Sequence, residues 1–316
     1  MEPTQENLME NGRIKKDVDL FPYLSMRLHT IAQYFFEALS EEDLINAFAT
    51  AKKMKVPFIL LGGGSNAVFA HSHVSGLVVR NAYYKIEARD NIEDGKFMDV
   101  TVGSGTLMPV FVEKTIAMGT QGFEYHKGLP GTVGGAIYMN SKWTRPLCYV
   151  GDALVSARLM DTEGVVKTVN RNYFAFDYDY SFLQKSKEIL LSTIFKLRKV
   201  DKNTLRLRAM DAIEYRKTTQ PVGVATCGCY FRNISEKEQR NHRLPTKSAG
   251  YLIDKCDLKG YSVGSFSVST VHANFIVNKE AGLSKPEDLA TMITTIKARV
   301  KQKFGVILRE EVQIMS

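Results

Sequence analysis

The sequence predicts a two-domain protein in which α-helices and β-strands are mixed. The chain has 316 residues, about twice the usual length of one domain, so it can bury a sizeable core. Hydrophobic residues make up 44% and charged residues 24% of the chain, which is typical of globular proteins and not of disordered or fibrous ones. Helical and strand-like hydrophobic patterns follow one another along the chain.

Two helices and five strands stand out in the first two-thirds of the sequence. Ser40 is the predicted N-cap of a helix that ends near Met54, because acidic residues follow it and apolar residues then recur at helical spacing. A second helix is predicted between Thr106 and Met118, and Gly119 ends it. Apolar runs predict strands at 56–61, 76–80, 98–102, 152–160 and 189–197.

A charged segment after residue 200 marks the predicted domain boundary. Residues 1–22 are polar and lack periodicity, so we expect a flexible tail. The first domain then covers 23–200 and the second 201–316. The stretch SKPE at 284–287 predicts a capping box with proline in the first turn of the last helix. Its apolar face consists of Leu289, Met292, Ile293, Ile296 and Val300.

The charge balance favours small anionic ligands. The 42 Lys and Arg residues exceed the 34 Asp and Glu residues, which gives a formal net charge of +8. The basic residues are scattered, which argues against a nucleic-acid groove. The N-terminus lacks an apolar signal segment, and no apolar run approaches the roughly 20 residues of a membrane span. We therefore expect a cytoplasmic protein that binds neither nucleic acid nor membranes. No metal-binding spacing is visible among the histidines and cysteines.

Three glycine-rich loops are candidate cofactor sites. The loop at 62–66 matches a dinucleotide fingerprint, but strand-like residues follow it, so we interpret it as a link between two strands. Its N–H groups can converge on a phosphate, although a plain tight turn is the alternative. The loops at 128–136 and 103–106 add further glycines, and together the three indicate an extended dinucleotide. The candidate cofactor-binding residues are Gly62, Gly63, Gly64, Ser65, Asn66, Gly103, Gly131, Thr132, Gly134 and Gly135.

Six segments together resemble the UDP-N-acetylenolpyruvoylglucosamine reductase family, over nearly the whole chain from about residue 24. The resemblance implies an α+β fold, in which a vanillyl-alcohol-oxidase (PCMH-type) FAD-binding domain precedes a smaller α+β substrate-binding domain. It also implies noncovalent FAD, NADPH as the hydride donor and UDP-N-acetylglucosamine enolpyruvate as the substrate. We expect a monomer. The matching segments are LGGGSN (61–66), GLPGTVGGAIYMN (128–140), TTQP (218–221) with CGCYFRN (227–233), SAGYLIDKCDLKGY (248–261), VHANFIVN (271–278) and FGVILREEVQI (304–314).

The resemblance also assigns site residues. Cys229 stands where the family has the Ser or Cys that donates a proton to the intermediate, and Glu311 matches a glutamate that helps to bind or protonate it. A thiol is a much stronger acid than an alcohol, so cysteine suits general acid catalysis. Arg232, Asn233 and Arg216 match substrate-binding positions, although plain surface charge is the other interpretation of the two arginines.

One position departs from the family pattern. The family usually has Tyr-Arg-x-Ser, whose arginine stabilises the developing enolate, but Asp179 occupies the arginine position here. Another cation must then supply the positive charge, and Arg216, Arg232 and Lys259 are the candidates. Asp179 is expected to pair with an arginine or lysine, or to be held protonated by Glu311.

Two alternatives to the reductase stay open at this point. An FAD oxidoreductase of the same fold that acts on another sugar or hydroxy acid would keep the glycine loops but lose the motifs of Cys229 and Glu311. A pseudoenzyme that binds flavin or a UDP-sugar is favoured only by Asp179.

Overall fold

The computed structural model describes Leu8 and residues 12–315. The helices are α1 (Glu41–Met54), α2 (Met108–Met118), α3 (Val133–Met139), α4 (Leu183–Ser186), α5 (Lys202–Thr219), α6 (Glu236–Asn241), α7 (Ala249–Asp254) and α8 (Pro286–Phe304). The strands are β1 (Lys15–Asp19), β2 (Ile31–Ala38), β3 (Phe58–Leu61), β4 (Ala67–Phe69), β5 (His73–Asn81), β6 (Ile86–Asp90), β7 (Phe97–Gly103), β8 (Lys142–Thr144), β9 (Leu147–Tyr149), β10 (Leu154–Met160), β11 (Val166–Asn170), β12 (Ile189–Arg198), β13 (Ser262–Val263), β14 (Phe266–Val268), β15 (Ile276–Asn278) and β16 (Gln313–Met315). The structure therefore confirms the prediction that helices and strands are mixed along the chain.

The strands pair in both parallel and antiparallel fashion. One sheet has the order β1-β2-β5-β3, with β3 and β5 parallel. A second sheet, β11-β10-β12-β7-β6, is antiparallel throughout. The strands β13-β14-β15 form a small antiparallel sheet, β16 pairs in parallel with β4, and β8 and β9 form a hairpin.

The chain divides into two compact units, each assembled from several segments. The first unit contains 34–63, 75–216 and the described residues up to 16. The second contains 17–33, 64–74 and the residues from 217 onwards. This division differs from the predicted single boundary near residue 200.

Burial explains why the units are discontinuous. Leu205 and Ala209 of α5 lie in the core of the first unit, so α5 extends that unit beyond residue 200. Met26, Leu28 and Val68 lie in the core of the second unit, far in sequence from the residues that surround them. Burial of apolar surface, which stabilises by about 25 cal/mol per Å², therefore decides to which unit each of these segments belongs.

The predicted flexible tail differs from the structure over its second half. Residues 15–19 form β1, and Leu20 is fully buried. The carboxylate of Asp19 accepts a hydrogen bond from the N–H of Phe21 at 2.9 Å and lies against His29. The remainder of the predicted tail, residues 1–7 and 9–11, lies outside the described residues.

The first predicted helix is confirmed in detail, whereas the cap of the last helix is wrong. The Oγ of Ser40 accepts a hydrogen bond from the N–H of Asp43 at 3.0 Å, as an N-cap should. At α8 the N-cap is Lys285, whose side chain makes no capping bond. Ser284 Oγ instead donates to the carbonyl of Ala281 and accepts from Asn278 Nδ2, because the side chain is buried in the second unit. The predicted apolar face of α8 is buried or packed against the core.

Candidate functional site

In the first unit the loops at 103–106 and 128–136 lie against each other and against Gly62 and Gly63. The N–H of Gly134 donates to the carbonyl of Ser104, and the N–H of Val133 donates to that of Thr106, both at 2.8 Å. Thr132 caps α3, since its Oγ1 accepts from the N–H of Gly135 at 3.2 Å. The loop at 128–136 is therefore fixed to the loop at 103–106 by its own backbone.

Close approach between the loops explains why glycine is needed in them. A Cβ on Gly63 would lie 2.7 Å from the Cα of Gly131, and one on Gly134 would lie 2.9 Å from the carbonyl oxygen of Ser104. Real Cβ atoms essentially never show contacts this short. The sequence predicts that a cofactor approaches the backbone at these glycines. The structure shows that they also bring the loops together.

The loop at 62–66 joins β3 to β4, which confirms the interpretation as a link between strands. Gly64 needs a positive φ of 62°, which glycine adopts readily. Within the described part of the chain, the N–H groups of Gly63 and Gly64 and the hydroxyl of Ser65 donate to no other group. Backbone N–H groups in a glycine loop suit a phosphate, so this donor set fits a dinucleotide such as FAD.

The second unit holds Cys229 and Glu311 on neighbouring backbone segments. Cys229 pairs with Phe275 through an isolated β-bridge. The N–H of Glu311 donates to the carbonyl of Tyr230 at 2.8 Å. This pairing brings the segment with the predicted acid beside the segment with the predicted glutamate.

Asn66 supports the same region through bonds that the sequence analysis missed. Its side-chain Nδ2 donates to the backbone carbonyl of Glu311 at 3.3 Å. Its backbone carbonyl accepts from the N–H of Gln313 at 2.9 Å. The parallel pairing of β4 with β16 aligns these bonds. Asn66 therefore positions the Glu311 segment, and its role in cofactor binding stays a prediction.

The predicted substrate-binding residues of the second unit have structural contacts. Asn233 Oδ1 accepts from the N–H of Ala249 at 3.0 Å, in the first turn of α7. The ammonium of Lys259 lies 3.4 Å from Asp254 Oδ1 in an exposed ion pair. The N–H of Arg232 donates to the carbonyl of Arg309. Lys259 is therefore engaged with a surface carboxylate.

Asp179 pairs with Lys142, a residue that the sequence analysis did not name. The side chain of Asp179 is only 5% exposed and that of Lys142 is 18% exposed. Lys142 Nζ donates to Asp179 Oδ1, and it also lies 3.9 Å from the ring centre of Tyr178. The expected pairing with a lysine is therefore present, but the partner is none of the cations proposed from sequence.

The segment that carries Asp179 is fastened to the end of α3. Ser181 Oγ and Gln184 Nε2 both donate to the carbonyl of Tyr138, at 2.8 and 3.0 Å. Asn140 Nδ2 donates to the carbonyl of Asp177 at 3.0 Å. The side chains at 179 and 142 thus lie at the opposite end of α3 from the glycine loop.

Arg216 joins the β8–β9 hairpin to the glycine loop. Its Nε donates to the carbonyl of Lys127 at 3.0 Å, and its guanidinium lies 4.6 Å from the ring centre of Trp143. Burial lowers the pKa of this guanidinium, which remains charged at neutral pH. The other sequence interpretation, a plain surface charge, does not hold for it.

One histidine is fully buried and a second is half-buried. His126 is fully buried, and this burial lowers its pKa to about 4. Burial also lowers the pKa of His272, whose Nδ1 accepts from the N–H of Asn274. Over residues 12–315 and Leu8, no three His, Cys, Asp or Glu side chains are grouped as metal ligands would be. In the same residues every helix is too short or too polar to span a bilayer.

Two family profiles match the chain. Residues 220–315 match the domain described as "UDP-N-acetylenolpyruvoylglucosamine reductase, C-terminal domain". Residues 32–170 match "FAD binding domain". The second match includes all three glycine loops.

Relatives that match nearly the whole chain are named UDP-N-acetylenolpyruvoylglucosamine reductase. A UDP-N-acetylenolpyruvoylglucosamine reductase of Trichormus variabilis is 31% identical over 306 residues, which cover 96% of this chain and 87% of that relative. The protein of the same name from Chlamydia muridarum is 31% identical over 302 residues, which cover 96% of this chain and 94% of that relative.

Solved structures show the same fold. The UDP-N-acetylenolpyruvylglucosamine reductase of Thermus caldophilus has a TM-score of 0.75 at 28% identity, over 96% of this chain and 99% of that one. A VAO-type flavoprotein of Myceliophthora thermophila has a TM-score of 0.53 at 9% identity, over 87% of this chain and 70% of that one. The second likeness concerns the fold alone. The predicted α+β fold with a vanillyl-alcohol-oxidase-type FAD-binding domain is confirmed.

Proposed function

Because the chain belongs to the UDP-N-acetylenolpyruvoylglucosamine reductase family, we propose that it reduces UDP-N-acetylglucosamine enolpyruvate to UDP-N-acetylmuramate with NADPH. The observation that carries this proposal is the match over 96% of the chain to relatives of that name. Both the FAD-binding segment and the C-terminal segment with Cys229 and Glu311 are included. The product is a peptidoglycan precursor, and we propose that the reaction takes place in the cytoplasm.

The glycine-rich loops would hold FAD. Free N–H groups at Gly63 and Gly64 and the hydroxyl of Ser65 suit the phosphates. Bound FAD supplies the hydride chemistry, which amino-acid side chains do not have. No side chain in the sequence is marked as an attachment point, so we propose that the flavin is held without a covalent bond.

Cys229 is the proposed proton donor. After hydride reaches the enolpyruvyl group, negative charge develops towards its carboxylate, and the adjacent carbon must receive a proton. A thiol with a reference pKa of about 8.5 is mostly protonated at neutral pH and gives up its proton far more readily than an alcohol. Glu311 lies on the adjoining segment, where we propose that it helps to bind or protonate the intermediate.

The pairing of Asp179 weakens the pseudoenzyme alternative. That alternative was based on a negative charge where the family has a positive one, but Lys142 balances the charge of Asp179 in this structure. The alternative of another substrate is disfavoured by the retained segments around Cys229 and Glu311. We further propose that the protein acts as a monomer, which light scattering of the eluting protein in gel filtration tests.

Two half-reactions test the function. Under anaerobic conditions NADPH should bleach the flavin absorbance, and UDP-N-acetylglucosamine enolpyruvate should then restore it with formation of UDP-N-acetylmuramate. A flavin that is reduced but not reoxidised by this substrate would indicate the same fold with another substrate. A protein that binds flavin and is never reduced would indicate the pseudoenzyme.

A further inference from the structure

The ion pair between Lys142 and Asp179 is an incomplete polar network. Asp179 Oδ1 accepts from the ammonium, but Asp179 Oδ2 is buried and accepts no hydrogen bond from any described residue. Leaving a buried charged acceptor unsatisfied is costly, and such groups in native proteins call for a partner outside the chain or for a functional reason. The backbone of Asp179 is also held at a positive φ of 49°, a conformation that residues other than glycine uncommonly adopt.

A second buried pair in the same unit shows what a complete network looks like. Glu188 has a side chain 5% exposed, like that of Asp179, and it pairs with Lys167. Its Oε1 meets the ammonium of Lys167, and its Oε2 accepts from the hydroxyl of Tyr173 at 2.8 Å. Lys167 also lies over the Tyr173 ring, at 4.7 Å from its centre. Both oxygens of Glu188 are thus satisfied, as a purely structural pair requires.

The ammonium of Lys142 keeps capacity for a ligand. An ammonium has three N–H donors, of which one is directed to Asp179 and the positive face contacts the ring of Tyr178. The side chain of Lys142 is 18% exposed, so part of it remains accessible. The hairpin of Lys142 follows α3, whose seven residues span about 10 Å from the glycine loop at its other end. Arg216 packs on the adjacent Trp143 and bonds to Lys127 beside that loop.

We propose that Lys142 is the catalytic cation of this enzyme and that Asp179 is its positioning residue. The ammonium binds the enolpyruvyl carboxylate and stabilises the negative charge that develops on it, which a fixed cation does well in a partly desolvated site. Asp179 Oδ1 accepts a hydrogen bond from the ammonium and holds it in place. This inference rests on the proposed function, because it names the group that handles the charge of that substrate.

The test compares the two half-reactions in Lys142 variants. Lys142→Met should slow reoxidation of the flavin by substrate about 10²–10³-fold, while reduction by NADPH stays within about twofold. Lys142→Arg should recover most of the lost rate, since it restores the charge. The Kd of UDP-N-acetylmuramate, measured by calorimetry without turnover, should rise about tenfold in Lys142→Met. In Lys142→Arg it should be close to the parental value.

A charge relocation and a matched control separate catalysis from folding. The double change of Lys142→Met with Asp179→Arg moves the cation to the neighbouring side chain, and it should reoxidise at least tenfold faster than Lys142→Met alone. Lys167→Met breaks the complete pair and should lower the melting temperature without changing the ratio of the two half-reaction rates.

The results distinguish a failure of the inference about Lys142 from a failure of the proposed function. Parent-like reoxidation and product binding in Lys142→Met would overturn the inference while leaving the function intact, and so would equal slowing of both half-reactions. A parent protein that is not reoxidised by the substrate would overturn the proposed function and the inference together.

Discussion

At the scale of single residues, Cys229 is expected to separate the two half-reactions. Cys229→Ala should leave flavin reduction by NADPH nearly intact and slow reoxidation by substrate about 10²–10⁴-fold, the usual contribution of general acid catalysis. Cys229→Ser should retain part of the rate, because a hydroxyl can still donate. Stopped-flow absorbance of the flavin measures both steps.

The control for Cys229 is a second cysteine of the same unit. Cys256 is partly buried against the core of the second unit, so Cys256→Ala reports the cost of losing a small side chain. Equal slowing of both half-reactions in Cys229→Ala would contradict the role as proton donor and indicate a packing role.

His126 should make stability depend on pH. Its folded-state pKa is about 4, below the ordinary value of 6.5, because burial disfavours the charged ring. The unfolded chain therefore binds a proton that the folded chain does not, and stability present above pH 6.5 is lost as the pH falls towards 4. The loss amounts to up to about 3 kcal/mol at the acid end.

Urea denaturation between these pH values measures the effect of His126. In His126→Leu the loss of unfolding free energy with falling pH should be smaller than in the parent by that amount. His71→Gln, a change at an exposed histidine, should keep the parental pH dependence. An unchanged pH dependence in His126→Leu would show that other groups cause it.

Sequence reasoning reached some of these residues and missed others for a physical reason. It predicted that Asp179 needs a cation, since charge balance is a local chemical requirement. It did not find Lys142, because the two residues are 37 positions apart and meet only through the packing of 177–184 on the end of α3. The same applies to Asn66, whose bond to Glu311 spans 245 positions.

At the scale of elements, the contact between the first two glycine loops should control flavin affinity. In Gly63→Ala the new methyl group would meet the Cα of Gly131 at 2.7 Å, so the loops must separate. Overpacking of this kind costs about 1–3 kcal/mol, and we expect the affinity for FAD to fall about tenfold or more. Quenching of flavin fluorescence during reconstitution of the apoprotein gives the Kd.

Gly95→Ala is the matched control for this change. A Cβ built on Gly95 meets nothing within 4 Å, so this variant should bind FAD like the parent. Parental affinity in Gly63→Ala would mean that the loops yield without disturbing the cofactor site.

Element boundaries were predictable where the local sequence decides them. Ser40 caps α1 as expected, because an acidic first turn and a free serine hydroxyl act within one helical turn. Ser284 fails as a cap because tertiary packing directs its hydroxyl to Ala281 and brings Asn278 against it. Local patterns cannot show such competition.

At the scale of the whole molecule, FAD should be bound noncovalently and should stabilise the fold. The purified protein is expected to be yellow, and acid precipitation should leave the flavin in the supernatant. At a free concentration 100 times its Kd, a ligand that binds only the folded state adds about 2.7 kcal/mol to the free energy of unfolding. Thermal denaturation with and without added FAD measures this increase.

Either of two observations would contradict that prediction. Flavin that remains with the precipitated polypeptide would indicate a covalent link. A melting temperature that does not change with FAD would indicate that the glycine loops do not bind it.

The two-unit organisation was predicted, but its boundaries were not. Composition changes near residue 200, and the sequence offers no sign that 17–33 and 64–74 belong with the C-terminal segment. Membership is decided by burial of side chains such as Met26, Leu28 and Val68. Their neighbours come from more than 150 residues further along the chain.

This order of segments has a consequence during synthesis on the ribosome. Met26, Leu28 and Val68 leave the exit tunnel early, whereas Leu308 and Val312 of the same core are translated last. At elongation rates of about 5–20 residues per second, the early apolar side chains wait for roughly ten seconds or more before their core can close. The first unit has all of its segments by residue 216. The early apolar segments of the second unit therefore stay exposed until the segments that follow residue 216 have been made.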